Sequence, residues 1–160
     1  MDSSTPPYLF IKENVSLREY KMYKYLDNME LPFIPNLYRY DKNTKILTTQ
    51  RIHGMSVADF YGEDFECVPA KIITQIRGMI RILYNIGIVY PDITGYNFLV
   101  DKKENVWIID FEHCFYINHL LIIDENTLDD VDDIPDKEEN IQFVYDFSHK
   151  KVNGWNPYFM

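Results

Sequence analysis

The chain has 160 residues, 46% of them hydrophobic and 16% aromatic, and a formal net charge of −9. That length suits a single domain, and the apolar content suits a packed core rather than wholesale disorder. No basic face or stripe stands out, which argues against general nucleic-acid binding, and no run of about 18 apolar residues reads as a membrane span.

Residues 1–7 read as a frayed tail, and MDSSTPPY has neither the basic nor the apolar part of a secretory leader. Two cysteines, Cys67 and Cys114, give no disulfide framework and no zinc spacing. A reducing intracellular compartment, cytoplasm or nucleus, is the expectation. YLFIK (8–12) is aromatic and β-branched enough for a strand. Ser16 to Glu19 has the S-x-x-E form of a capping box and opens a helix to about Asn28, which Pro32 and Pro35 exclude from continuing. Asn36–Tyr40 and Lys45–Gln50 read as two strands turning at Asp41-Lys42-Asn43. His53-Gly54 punctuates, and Ser56 begins a short helix.

The strongest periodic signal follows. Ile72, Ile73, Ile76, Met79, Ile80, Leu83 and Ile86 recur every three or four residues, as on a helix packed against a core, with Gly87 placed for a left-handed cap. Ile88-Val89 comes next. Phe98–Val100 and Val106–Ile109 then read as a hairpin around DKKEN. Residues 124–140 carry nine acids and one lysine, hence −8 of the net charge. They read as an extended, solvated loop or a docking loop for a basic partner. The aromatic C-terminus, IQFVYDFSHKKVNGWNPYFM, reads as a helix and tail packed under the loop around residue 92, or as a partner-binding patch.

One constellation carries chemistry. Asp92 lies on the loop after the long helix, Asn97 five residues on at the start of the hairpin, and Asp110 thirteen further at its end. The hairpin brings Asn97 beside Asp110. Their oxygens suit Mg²⁺, which takes few protein ligands and completes its shell with water and phosphate oxygens. Asp92 stays free to face a hydroxyl. Each residue alone is also an ordinary turn residue. His53, His113, His119 and His149 show no ligand spacing.

YPDITGYNFLV with IIDFEH resembles the protein-kinase-like superfamily, and within it the small atypical kinases: the RIO type, the small kinase of the KEOPS complex and the aminoglycoside phosphotransferases. The resemblance covers roughly residues 8–117 and is sharpest in its last third. It implies an α+β, minimal two-lobed kinase-like fold, with a sheet-and-helix lobe at 8–50 and a reduced, mostly helical lobe at 51–160. It implies ATP and Mg²⁺ as cofactors, Asp92 as the catalytic aspartate, and Asn97 and Asp110 as metal ligands. Lys12 resembles the strand lysine that holds the α- and β-phosphates. Glu19 resembles its ion-pair partner, although the capping box alone also explains it. Thr49 falls near the gatekeeper position, and the backbone of Gln50, Arg51 and Ile52 at the adenine-binding hinge.

The pattern is departed from in four places. No glycine-rich loop stands before Lys12, where seven residues precede Tyr8 and none is glycine. Glu112 occupies the usual glycine position after Asp110-Phe111, Tyr90-Pro91 replaces the usual His-Arg, and about 50 residues follow Asp110 without a peptide-binding platform. Two functions follow as expectations. One is Mg-ATP-dependent phosphoryl transfer to a hydroxyl of a protein or small molecule. The other is a pseudokinase that binds a nucleotide or partner without turnover, and a partner roofing the phosphates would make activity conditional.

Overall fold

The structure is a computed structural model and describes residues 6–117 and 137–160. Strand β1 (Leu9–Lys12) pairs antiparallel with β3 (Ile46–Gln50), which also pairs with β2 (Leu37–Asp41), so the order is β1-β3-β2. Central β3 buries Leu47 and Thr49 on one face, the period-two pattern of a strand with one covered side. The β2–β3 turn is held by Asp41, whose Oδ1 accepts from the backbone N–H of Asn43 at 2.9 Å and of Thr44 at 3.3 Å.

Helix α1 (Leu17–Asn28) starts at Ser16, whose Oγ accepts from the Glu19 N–H at 3.1 Å. Its buried residues are Glu19, Met22, Tyr23 and Leu26, one stripe at helical spacing. A carboxylate therefore rides on the apolar face. Half of the anticipated capping box forms, but the Glu19 carboxylate goes elsewhere.

A second sheet has the order β4-β6-β7, from Gly54–Ser56, Phe98–Asp101 and Val106–Ile108. Strand β4 stands where His53-Gly54 suggests only a break, because three residues are too few to show a period. Gly54 is needed there for space: a Cβ would meet the Val100 carbonyl oxygen at 2.2 Å. Helix α2 (Val57–Tyr61) is capped by Ser56 through the Asp59 N–H at 3.0 Å. Helix α3 (Ala70–Asn85) buries the predicted stripe and also Arg77, and Gly87 after it has φ +91°. Strand β5 (Ile88–Val89) pairs with β8 (Phe115–Tyr116), another short strand invisible to periodicity.

Helix α4 (Lys137–Ser148) packs on α3, and a 3-10 turn at Pro157–Phe159 ends the chain. Arg77 joins these parts. Its guanidinium donates to Phe147 O at 2.5 Å, Val152 O at 3.1 Å and Asn153 Oδ1 at 3.0 Å, and lies 4.6 Å from the Phe147 ring centre. One continuous apolar core runs from Val15 through α1, α3 and the hairpin to Phe147 and Trp155. With four α-helices and three small antiparallel sheets among the described residues, the fold is α+β.

Candidate active site

Lys12 ends β1, opposite Leu47 of β3, and its chain reaches across to α1. Nζ donates to Glu19 Oε2 at 2.7 Å and to Asp110 Oδ1 at 3.4 Å, so one ammonium joins three segments that are far apart in sequence. The Lys12 side chain is 32% exposed and that of Glu19 only 5%. Burial lowers the ammonium's pKa, but the two carboxylates outweigh it and raise the pKa above its ordinary value. Burial also raises the Glu19 carboxyl, against the pull of Lys12 and with a push from Asp110 and Glu112. Acid thus outnumbers base around this one lysine.

The loop from Tyr90 to Asn97 follows β5 and is folded on its own backbone. Ile93 N donates to Pro91 O at 2.8 Å, Thr94 N to Asp92 O at 3.0 Å, and Asn97 N to Thr94 O at 3.2 Å. Asn97 Nδ2 donates to Asp92 O at 2.9 Å, and among the described residues the amide oxygen of this buried side chain remains as an acceptor. The C-terminal tail supports the loop. Asn156 donates through its backbone N–H to Ile93 O at 2.9 Å, and through Nδ2 to Pro91 O and Asn140 Oδ1, both at 2.6 Å. The helix and tail therefore pack where the sequence placed them, and Phe147 and Trp155 lie inside the core rather than on a surface open to a partner.

Asp110 follows β7 with φ +64°, a left-handed conformation that a residue with a side chain adopts at a cost of about 1 kcal/mol or more. Aspartate is among the residues that tolerate it best. It is held from both sides. Upstream, Ile109 N donates to Asn97 O at 3.0 Å, and the Tyr90 hydroxyl donates to Ile109 O. Downstream, Arg18 of α1 donates to Glu112 O at 2.6 Å and to Cys114 O at 2.5 Å. Phe111 is fully buried between the edges of Tyr23 and Tyr90, with ring centres 4.9 and 5.9 Å away.

A cavity of about 380 Å³ opens between the first sheet and the β6–β7 hairpin. Lys12, Glu19, Thr49, Gln50, Arg51, Ile52, Asn97 and Asp110 all line it. Eight of the nine residues singled out from the sequence thus share one pocket. Its other walls, including Phe10, Tyr23, Leu47, Leu99 and Ile109, are largely apolar and had no signal beyond ordinary strand or helix composition. Asp92 does not line this cavity; its contact with it runs through Asn97. Burial pushes the Asp92 carboxyl above the ordinary carboxylate value, Asn97 pulls it back, Asp110 and Glu112 raise it and His113 lowers it. His113 packs 5.1 Å from the Phe159 ring, and its buried Nδ1 has no hydrogen-bond partner among the described residues.

The donor set fits a magnesium ion that arrives with phosphates. It offers one amide oxygen and one carboxylate on a common wall, within a surplus of acid. Among the described residues no three His, Cys, Asp or Glu side chains gather into a cage that could hold a metal alone. The acidic segment expected at 124–140 falls outside the described residues except for Lys137–Asn140, which belong to α4. Among the described residues no helix is long and apolar enough to cross a membrane.

Comparison with known proteins gives a consistent family. The RIO domain family matches residues 8–124. Similar stretches occur in proteins named 3-deoxy-D-manno-octulosonic acid kinase. That of Vibrio parahaemolyticus is 36% identical over 47 residues, or 29% of this chain, and that of Photobacterium profundum is 31% identical over 48 residues, or 30% of this chain. That of Vibrio vulnificus is 33% identical over 46 residues, or 29% of this chain. In each case the match spans 20% of the relative's own length.

Proposed function

The chain belongs to the RIO domain family, and from that premise we propose that it is a kinase-like phosphotransferase that moves the γ-phosphoryl group of ATP to a hydroxyl. The observation that carries this reading is the placement of Lys12, bound to Glu19 and Asp110, on the wall of the cavity that also holds Asn97 and Thr49–Ile52. The nucleotide lies between the sheet-and-helix unit (8–50) and the unit that holds the β6–β7 hairpin and α3.

The base enters along Gln50, Arg51 and Ile52 at the apolar end of the cavity, with Thr49 beside it. Lys12 holds the α- and β-phosphates, kept extended and charged by Glu19. Asn97, through its amide oxygen, and Asp110, through its carboxylate, would hold Mg²⁺, which would offset phosphate charge. Asp92 orients the acceptor hydroxyl and takes its proton. The acceptor oxygen forms a bond to the γ-phosphorus, the bond from that phosphorus to the β–γ bridging oxygen breaks, and ADP leaves with the electron pair. A raised carboxyl pKa makes Asp92 a better proton acceptor than an ordinary aspartate, and the Asn97 bond to its carbonyl fixes the loop that carries it. The acceptor is a protein serine or threonine or a small molecule, and the sugar-acid kinases among the relatives support keeping the second.

A second reading, nucleotide binding without transfer, is supported by Glu112, whose charge adds to that of Asp110 around Glu19 and Asp92. The test is ADP release from Mg-ATP across a panel of hydroxyl acceptors, paired with ATP-induced thermal stabilisation. Transfer predicts that Asp92→Asn cuts turnover by roughly 10²–10⁴-fold while ATP still stabilises the protein. Stabilisation of the wild type by ATP with no ADP release would favour the binding module. Turnover that survives Asp92→Asn would sink the mechanism.

A further inference from the structure

Helix α1 touches the nucleotide pocket through Glu19 and Tyr23, but its longest-range contacts run to the segment after Asp110. Arg18 forks onto two carbonyls, Glu112 O at 2.6 Å and Cys114 O at 2.5 Å. Tyr23 packs edge-on against Phe111 at 4.9 Å, and Tyr25 edge-on against Tyr116 at 5.6 Å. Three side chains of one helix thus grip residues 111–116, and Arg18 alone does so by charge. Arg18 and Glu19 are neighbours, so the same turn holds the pocket lysine and the segment behind the metal-site aspartate. The contacts form a closed ring: Glu19 to Lys12, Lys12 to Asp110, and from the backbone beyond Asp110 to Arg18.

That ring encloses the left-handed Asp110. Aspartate adopts this conformation at a small cost, which contacts on either side of it can offset. Tyr90 and Asn97 fix the residue before it. After it, the bonds within the segment are Glu112 N to Asp110 Oδ1 at 3.3 Å and Cys114 N to Phe111 O at 3.2 Å, and the Arg18 fork adds two from outside it. A guanidinium suits this task because its planar fork meets two acceptors at once, whereas an ammonium is a single point of charge.

We propose that Arg18 is a positioning residue for phosphoryl transfer, which through Glu112 O and Cys114 O holds Asp110 in the backbone conformation that presents its carboxylate to the nucleotide-borne magnesium. This rests on the phosphotransfer reading above. Arg18 does not touch the nucleotide; it acts through the backbone of residues 110–114. Its loss should therefore appear in the magnesium requirement before it appears in the affinity for free nucleotide.

The test uses the full chain as wild type, Arg18→Ala and Arg18→Lys. Thermal stabilisation is titrated with ATP alone and with Mg²⁺ at fixed ATP, and backbone hydrogen exchange is followed over residues 109–117. Loss of a supporting partner of a metal ligand typically weakens metal binding by 10–100-fold, so Arg18→Ala should raise the Mg²⁺ concentration for half-effect by roughly tenfold, with metal-free ATP binding changed by no more than about twofold. Exchange should quicken at 110–116 and stay unchanged in β6 and β7, and Arg18→Lys should fall between the two. A lower melting temperature with an unchanged magnesium requirement would reduce Arg18 to a structural tie and overturn the proposal. Should Arg18→Ala fail to fold, the same readings on Arg18→Lys decide, an unshifted magnesium requirement again overturning it. A wild type that ATP stabilises no better with Mg²⁺ than without it would overturn the phosphotransfer reading itself, and the role of Arg18 with it.

Discussion

Glu19 shows how a single residue serves two demands. Its backbone N–H completes the Ser16 cap, while its carboxylate, on the buried stripe of α1, meets Lys12 at 2.7 Å. Burial disfavours the ionised form and raises its pKa. A carboxyl raised in the folded state contributes stability while protonated, below its unfolded pKa, and loses it as pH rises through the folded value. At neutral pH, Glu19→Gln is therefore expected to leave the melting temperature unchanged or higher. Lys12 would lose the carboxylate that orients its ammonium in the cavity, so affinity for ATP should fall by roughly tenfold or more. Calorimetric melting beside an ATP titration separates the two effects, and a parallel fall in both would refute the division. Lys12→Met should weaken ATP binding at least as far, because it removes the cation itself; binding by equilibrium dialysis checks this. Glu19 could be read as inward-facing from its place one turn before Met22 and Tyr23, but the capping box competed for the same letters.

The elements of the site are short, and each depends on a specific support. Strand β4 exists because Gly54 lets its backbone approach Val100, where a Cβ would stand 2.2 Å from the carbonyl oxygen. Gly54→Ala forces backbone away from backbone and should destabilise by on the order of 1–3 kcal/mol, read from the urea midpoint at constant slope. The Pro91–Ile93 loop depends on Asn156 in the same way. Asn156→Ala strips Pro91 O and Asn140 Oδ1 of a buried donor and should cost about 1–3 kcal/mol. Its second expected effect is on turnover, since the loop carries Asp92. A fall in kcat larger than the fall in ATP affinity would show the loop at fault rather than the pocket.

At the scale of the whole molecule, the Pro91–Ile93 loop and the C-terminal region are tied together by buried polar side chains. Arg77 is the main polar link between α3 and the end of α4, buried and with three acceptors. Burial lowers its pKa, yet the hydrogen bonds and the Phe147 ring hold the charge inside. Arg77→Met would take this donor from Val152 O and Asn153 Oδ1, leave Phe147 O only the Lys150 N–H, and should cost roughly 3 kcal/mol. For a chain of this size that is a drop of about 6–12 °C in melting temperature, at about 2–4 °C per kcal/mol. One shifted transition is expected; a separate early transition would mean that α4 and the tail melt independently of the loop they support.

By itself the sequence determined the elements with a period and the residues that act from nearby positions. The stripe from Ile72 to Leu83 settled α3, because burial on one helical face leaves a repeat of three and four. Asn97 and Asp110 were legible as a pair because a single hairpin joins them across thirteen positions, whereas Asp92, five residues before Asn97, stays off their cavity. Lys12, at the end of β1, was marked only by its resemblance to the strand lysine of the kinase-like superfamily. Strands β4 and β8 were not legible, since two or three residues carry no period and form only when a partner strand arrives from far away in sequence. Only the tertiary structure decided that the Glu19 carboxylate leaves the capping box for Lys12. It also decided that Phe10, Leu99 and Ile109 wall one cavity, and that Arg18 reaches carbonyls more than ninety residues away. Backbone carbonyls look alike whatever residue bears them, so a contact made to them writes nothing into the sequence at its far end.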